Sequence, residues 1–116
     1  MRRWGPAIAW AALIFVGSSI PAHSLPKTGI WDKLEHATEY AIFAALLARA
    51  FGVRRWWWAI IAGALYGVSD ELHQTFTPGR SGNDLGDISA DAVGAIVGAT
   101  AWFLLRRRRG DGTKAA

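Results

Sequence analysis

The chain has 116 residues, enough for one domain at most. It contains no cysteine, which excludes a disulfide framework, a thiolate nucleophile and a cysteine-based metal site. The net charge of +4 and the pI near 10.1 are compatible with nucleic-acid binding. However, the basic residues cluster at the ends of apolar segments and not along one face, so we expect no nucleic-acid partner.

Four apolar segments alternate with charged stretches, and each is close to the roughly 20 residues that a helix needs to cross a bilayer. They predict an all-α fold, a polytopic membrane bundle of four transmembrane helices in contact with the lipid bilayer. The second segment is the weakest by hydropathy, because charged and titratable side chains fill its first two turns. The segments are residues 4–20, 32–51, 56–72 and 87–105.

The basic residues orient these segments. If all four cross, one side of the membrane holds ten of the thirteen Lys and Arg residues, and the other holds only Lys27, Lys33 and Arg80. Cytoplasmic loops carry the excess of Lys and Arg, so the N- and C-termini and the 49–55 loop are predicted to be cytoplasmic. We therefore expect a multi-pass protein of the cytoplasmic (inner) membrane.

The first segment permits a second interpretation. Arg2, Arg3, an apolar core and the sequence PAHS resemble a secretory signal that is removed after export. The 17 residues of the core exceed the usual length, and Pro21 and His23 spoil the small-residue pattern of a cleavage site. We favour a retained helix, and the other three segments have the same orientation in either case.

Acidic residues and histidines gather toward the outer side, and topology does not explain this, since acids contribute little to orientation. At 100° per residue they fall on one face of each of three helices. These faces are Asp32, Glu35, His36 and Glu39, with Tyr40 at the margin; Gly63, Gly67, Glu71 and Gln74, with Asp70 beside them; and Asp84, Asp87, Asp91, Gly94 and Gly98.

Glycines spaced four residues apart predict that the third and fourth segments pack closely on each other, Gly63 and Gly67 against Gly94 and Gly98. That contact would bring the carboxylates above it together. The alternative is a set of solvated helix ends, because acids are favoured at helix N-termini. Glu71 and its neighbour Asp70 lie near a C-terminal end, where the dipole disfavours anions, so we favour a functional cluster.

These residues are suited to two tasks in catalysis. Glu71 and His36 are candidates for a general acid or base, with Asp32 and Tyr40 on the same face as His36. Anion binding would fall to Arg80, Gln74 and Lys33; a pairing of Arg80 with Asp84 or Glu71 is the alternative.

A divalent cation is the candidate cofactor. Asp84, Asp87 and Asp91 offer the hard oxygen ligands that suit Mg²⁺ or Ca²⁺. A zinc site from His36, His73 and carboxylates is conceivable. However, His73 lies about 160° from Glu71 on an ideal helix, so we expect it at the membrane interface and not in the same site.

Three stretches resemble, in order and spacing, the VanZ-like family of small bacterial membrane proteins. They are DKLEHATEYA, DELHQTFTPGR and DLGDISADAVGAIVG, and the similarity extends from Asp32 to about Gly98. The resemblance implies one membrane domain over residues 1–116, with a core at about 32–98; we expect a disordered tail at 110–116. At the position of Asp91, many members of the family carry Asn. The matching residues are Asp32, Lys33, His36, Tyr40, Glu71, Gln74, Pro78, Gly79, Arg80, Asp84, Asp87, Asp91 and Gly94.

The resemblance implies a protein of the bacterial cell envelope, because the family takes its name from a protein associated with teicoplanin resistance. One hypothesis is an outward-facing site that acts on an anionic lipid or a lipid-linked envelope precursor. The alternative is a non-catalytic accessory or binding protein that modulates envelope access or glycopeptide susceptibility. The sequence has no HExxH, GxSxG or P-loop motif, so it leaves open whether the protein is an enzyme.

Overall fold

The structure is a computed structural model that describes residues 3–19, 30–74 and 85–115; within them, the side chains of 18, 30–32, 74, 85 and 110–115 are not described. All regular structure in the described residues is helical, which confirms the predicted all-α class. The elements are α1 (Gly5–Ser18), α2 (Ile30–Phe51), a short 3-10 helix (Val53–Arg55), α3 (Trp58–Gln74) and α4 (Leu85–Ala115).

The helix boundaries have local causes. Pro6 stands in the first turn of α1, where the missing N–H would have no intrahelical acceptor. Gly52 follows α2, donates its N–H to the carbonyl of Ala48 at 2.8 Å and has a φ of 91°, which favours glycine. The last helix continues to Ala115, so residues 110–115 of the predicted disordered tail contribute helical backbone.

The first helix is antiparallel to α2 and parallel to α3. Near its start, the rings of Trp4 and Phe51 lie 5.0 Å apart in an edge-to-face arrangement. Near its end, Ser19 Oγ lies 2.9 Å from Nε2 of His73 in the last turn of α3. The start of α1 therefore meets the end of α2, and the ends of α1 and α3 lie together.

The second and fourth helices run parallel and in very close contact. A Cβ added to Gly94 would overlap the carbonyl group of Ala37, and one added to Gly98 would overlap that of Ala41. The two glycines therefore remove the side chains that would keep these backbones apart. The predicted partner of Gly94 and Gly98 was wrong, since they face α2 and not α3.

The third helix nevertheless packs on α4 through its own two glycines, as predicted. An ideal Cβ on Gly63 would lie 3.2 Å from the Cβ of Ala95, and one on Gly67 would lie 3.0 Å from the Cβ of Asp91. The fourth helix thus presents two adjoining small faces, one to α2 and one to α3. A pattern of glycines on one helix does not reveal which of two neighbours each face will meet.

The bundle buries polar side chains and exposes apolar ones. His36, Asp70, Glu71, Asp87 and Asp91 are all buried. Each of the four helices exposes large apolar side chains; one example from each is Leu13, Leu34, Leu65 and Val97, at 60%, 50%, 65% and 57% exposure. Water-soluble proteins rarely bury Asp or Glu completely. Here such residues lie beside an apolar core that includes Phe43 and Leu47, while large apolar side chains are exposed.

Length and composition single out one helical stretch. Gly86–Arg109 has 24 residues and a mean hydropathy of 1.7, enough to cross a membrane, whereas Gly5–Gly17 is apolar but shorter. Elsewhere in the described ranges no helix meets both conditions. The crossing of α4 is thus supported by composition, and the crossings of α1, α2 and α3 stay predictions.

Arginines gather at the end of the bundle that contains the start of α1 and the later turns of α2 and α4. They line a cavity of about 660 Å³. Basic residues that are predicted to lie on one side of the membrane therefore do lie at one end of the molecule. The cavity is lined by Arg3, Arg49, Gly52, Val53, Trp102, Leu105, Arg106 and Arg109.

Candidate functional site

A group of titratable side chains lies at the end of the bundle opposite the arginines. It is formed where α2 begins, α3 ends and α4 begins. Every member except Lys33 is at most 7% exposed. This polar cluster comprises Lys33, His36 and Tyr40 of α2, Asp70 and Glu71 of α3, and Asp87 and Asp91 of α4.

Helical spacing explains why these side chains converge. His36 and Tyr40 are four residues apart on α2, and Asp87 and Asp91 are four residues apart on α4, so each pair lies on one helix face. The two helices run parallel, and their close contact turns both polar faces toward each other. Side chains that are 50 or more positions apart in the sequence then become neighbours.

His36 lies between two carboxylates of α4. Its Nδ1 donates a hydrogen bond of 2.9 Å to Oδ1 of Asp91, and its Nε2 lies 3.7 Å from Oδ2 of Asp87. Asp87 also forms an ion pair with the Lys33 ammonium group. A carboxylate bound to one ring nitrogen fixes the orientation of an imidazole, which is how enzymes position an acid–base histidine.

Tyr40 connects α2 to α3. Its hydroxyl donates to Oδ2 of Asp70 at 3.3 Å, and its side chain is fully buried. The ring also lies against Phe43 and Tyr66, with centroid distances of 6.1 and 6.4 Å. Aromatic packing on one side and a hydrogen bond at the hydroxyl therefore hold this side chain in place beneath the cluster.

Three members of the cluster, one from each helix, approach one another closely. One potential ligand atom each from His36, Glu71 and Asp91 lies within 4.8 Å of the other two. Gly67 provides the room, since a Cβ there would lie 3.1 Å from Oδ2 of Asp91. One imidazole and two carboxylates form a donor set that can hold a divalent cation.

The structure brings together six of the side chains that the sequence predicts for the site: Lys33, His36, Tyr40, Glu71, Asp87 and Asp91. The other four lie outside the described side chains, so their predicted roles stay predictions. These four are Asp32, Gln74, Arg80 and Asp84.

The grouping of the carboxylates differs from the prediction in two respects. Asp91 lies with His36 and Glu71, whereas Asp87 pairs with Lys33; the third predicted cation ligand, Asp84, lies outside the described residues. Spacing along one helix groups acids of that helix only, and cannot show which residues of other helices join them. Asp70 was predicted to lie in the polar cluster, beside Glu71 near a helix C-terminus, but no catalytic, binding or metal role was predicted for it.

His73 lies away from the polar cluster, on the side of α3 that faces α1. Its ring stacks on Phe15 with 4.4 Å between centroids, and its Nε2 contacts Ser19 Oγ. Among the described residues, the group with metal-ligand spacing contains His36 and not His73. A zinc site built on both histidines is therefore not formed.

Comparison with known proteins gives one family. The family model described as VanZ/LLP1 matches residues 4–106, which include all four apolar segments; residues 107–115 of α4 lie outside the match. No curated protein and no solved structure matches the chain.

Proposed function

The chain belongs to the VanZ/LLP1 family, and on this premise we propose that it is a bacterial inner-membrane protein whose polar cluster acts on an anionic lipid or a lipid-linked envelope precursor. The observation that carries the proposal is the burial of titratable side chains in a bundle that exposes large apolar ones. Titratable groups from three helices meet inside the bundle, while apolar groups cover its outside. Burial of ionisable side chains in a membrane is energetically costly, and such side chains usually mark functional sites. Here they are concentrated at one end of the bundle.

The exposed apolar side chains support four membrane crossings. All four helices present such side chains, including α2, whose hydropathy is lowered by residues that turn inward, such as His36. In lipid the exposed apolar surface is solvated and the polar residues are sheltered by protein. A four-helix bundle in the membrane thus accounts for the burial pattern of α2 better than a helix lying on the membrane surface.

The two ends of the bundle support the predicted sidedness. Arg3, which precedes α1, and arginines of α2 and α4 line the cavity at one end, and the polar cluster lies at the other. Because Lys and Arg are retained on the cytoplasmic side, the polar cluster would face the extracytoplasmic side. Lipids of the outer leaflet and exported precursors are the substrates within its reach.

The chemistry that we propose uses His36 as the proton-transferring group, positioned by Asp91. Lys33, at the half-exposed margin of the cluster, would face the anionic group of the substrate, with the Asp87 carboxylate holding the ammonium in place. Arg80 and Gln74 remain the further candidates for binding that group. General acid–base transfer by a positioned side chain contributes typically about 10²–10⁴-fold to a rate.

A groove on the flank of α1 and α2 supports a lipid as the substrate. It has a volume of about 470 Å³, and Trp10, Leu34 and Ile42 give it an apolar wall that suits an acyl chain, with polar side chains on its other side. It lies on the face of α2 next to the one that carries His36. Its lining residues are Trp10, Leu34, Glu35, Thr38, Glu39 and Ile42.

The second candidate is a binding or accessory protein without turnover. The Lys33–Asp87 ion pair and the His36–Asp91 hydrogen bond support it, because polar side chains that bind one another form a stable structural network. The same network would then recognise a headgroup and alter access to the envelope.

Comparison of envelope lipids and lipid-linked precursors in cells tests the proposal. The cells would express equal amounts of the wild type, Glu71→Gln or Asp111→Asn. Glu71 is 1% exposed within the cluster, whereas Asp111 lies near the end of α4, far along the helix from Asp87 and Asp91, so the second variant is a matched loss of charge. We expect a lipid species that changes with the wild type and with Asp111→Asn but not with Glu71→Gln.

Identical lipid profiles in all three strains, with all proteins folded and inserted, would contradict lipid chemistry. A lipid that copurifies with the wild type but not with Glu71→Gln, without any change in cellular lipids, would instead establish the accessory role.

A further inference from the structure

We propose that His36, Glu71 and Asp91 bind one divalent transition-metal ion of the Zn²⁺, Mn²⁺ or Co²⁺ class. The three residues come from three different helices, so the site exists only in the folded bundle. This metal site deepens the proposed function and rests on it for the use of the ion, but not for its binding. With the ion bound, His36 would be a ligand, and a water molecule on the ion would take over the proton transfer that is assigned to His36 above.

The separation of the potential ligand atoms fits such an ion. They lie within 4.8 Å of one another. Bonds of about 2.0–2.2 Å from zinc to nitrogen or oxygen place neighbouring ligand atoms roughly 3–4 Å apart. Rotation of the Glu71 and Asp91 side chains would bring all three donors onto one ion, and an ion bound by Nδ1 of His36 would replace its hydrogen bond to Asp91.

A second and independent observation comes from Asp91. Its Oδ1 accepts the hydrogen bond from His36, while its Oδ2 is buried and has no hydrogen-bond partner among the residues that the structure describes. A buried carboxylate oxygen is costly to leave without a partner. It lies 3.1 Å from where a Cβ of Gly67 would be, so the absence of that side chain makes room for the carboxylate itself. An ion coordinated by Oδ2 would satisfy this oxygen.

The charge of the site favours a divalent cation. Asp87 is paired with Lys33, and three further carboxyl groups, those of Asp70, Glu71 and Asp91, are buried at the same end of the bundle. Bringing like charges together away from water is unfavourable, and a doubly charged ion offsets two of them at once.

The donor types select the class of ion. Mg²⁺ and Ca²⁺ prefer sites made of oxygen ligands alone. A mixed set of one imidazole and two carboxylates suits Zn²⁺ and its neighbours in the first transition series. Three protein ligands also leave a coordination position open, as in catalytic metal sites, and a water molecule or a phosphate oxygen of a lipid headgroup can occupy it.

Metal binding by the purified protein tests this site. The wild type, Glu71→Gln, Asp91→Asn and Asp111→Asn would be purified in detergent without a histidine tag, stripped with a chelator and titrated with Zn²⁺. The zinc bound per chain would then be measured by mass spectrometry after gel filtration. We expect about one ion per chain in the wild type and in Asp111→Asn, and at least a tenfold loss of affinity in the other two.

X-ray absorption at the zinc edge of the loaded wild type keeps the test independent of how the variants fold. One imidazole nitrogen among oxygen ligands supports the site. A wild type that binds no metal, an all-oxygen coordination shell, or equal zinc affinity in folded Glu71→Gln and Asp91→Asn would overturn it. Metal binding without a lipid effect would refute the proposed function alone, and a Glu71-dependent lipid effect in a metal-free protein would refute the metal site alone.

Discussion

His36 on α2 and Asp91 on α4 are joined by a hydrogen bond of 2.9 Å although they lie 55 positions apart in the sequence. Both are buried, at 6% and 1% exposure, in a bundle whose outer surface is apolar. The bond depends on the close approach of the two helix backbones, because neither side chain is long. The glycine contacts that bring the backbones of α2 and α4 together therefore also assemble the polar cluster.

Substitution Gly98→Ala should destabilise the bundle. The added methyl group would overlap the carbonyl group of Ala41, and backbone atoms on both sides leave little freedom to move apart. We expect a loss of about 1–3 kcal/mol, as for other overpacked cores. The unfolding midpoint of the protein in detergent, followed by circular dichroism, measures the effect.

Gly17→Ala is the matched control for that substitution. No atom lies within 4 Å of the position of its Cβ, and alanine is the better helix former by about 1 kcal/mol. Its midpoint should equal or exceed that of the wild type. A Gly98→Ala protein as stable as Gly17→Ala would show that α2 and α4 are not in this contact.

Loss of the Lys33 ammonium should leave the Asp87 carboxylate in an unfavourable environment. We expect Lys33→Met to cost about 1–3 kcal/mol, less than the roughly 3–5 kcal/mol for a fully buried pair, because the Lys33 side chain is 38% exposed. Adding Asp87→Asn should recover part of this loss, since the amide needs no counter-charge. The four unfolding free energies of the double-mutant cycle provide the measurement. A double variant that is less stable than Lys33→Met would refute the pairing.

Cysteines at Gly63 and Ala95 should form a disulfide between α3 and α4. The Cβ positions are 3.2 Å apart, close to the roughly 3.5–4.5 Å found across disulfides. The chain has no cysteine of its own, so a membrane-permeable oxidant can form no competing bridge within one chain. Intact mass after alkylation reports the bond. A Gly17→Cys and Ala95→Cys pair should remain reduced, and efficient oxidation of that control pair would contradict the helix arrangement.

The fold class and the residues of the polar cluster could largely be predicted from the sequence. Apolar length gave the helices, and the spacing of His36 and Tyr40, or of Asp87 and Asp91, gave the polar face of each helix. The periodicity of one helix does not show which neighbouring helix each of its faces contacts. For this reason Gly94 and Gly98 were assigned to α3, and Asp91 was grouped with Asp87 and Asp84 instead of His36 and Glu71.

The first helix should be retained in the mature protein and not removed as a signal. Its residues contribute to the core, and Tyr66 of α3 donates a hydrogen bond of 2.6 Å to the carbonyl of Ala11. On α2, the carbonyl of Glu39 accepts one of 3.0 Å from Trp10 Nε1. We expect the intact mass of the purified protein to include residues 4–19. A mass that begins after residue 23 would establish cleavage.

The most direct test of the account is the side of the membrane on which the polar cluster opens. Ser81→Cys lies in the segment between α3 and α4, next to the cluster in sequence, and Val53→Cys lies at the opposite, arginine-rich end. We predict that a membrane-impermeant maleimide labels Ser81→Cys in intact cells or spheroplasts, and labels Val53→Cys only after the membrane is permeabilised. Labelling of Val53→Cys in intact spheroplasts with Ser81→Cys protected would place the cluster on the cytoplasmic side and contradict an action on outer-leaflet lipids.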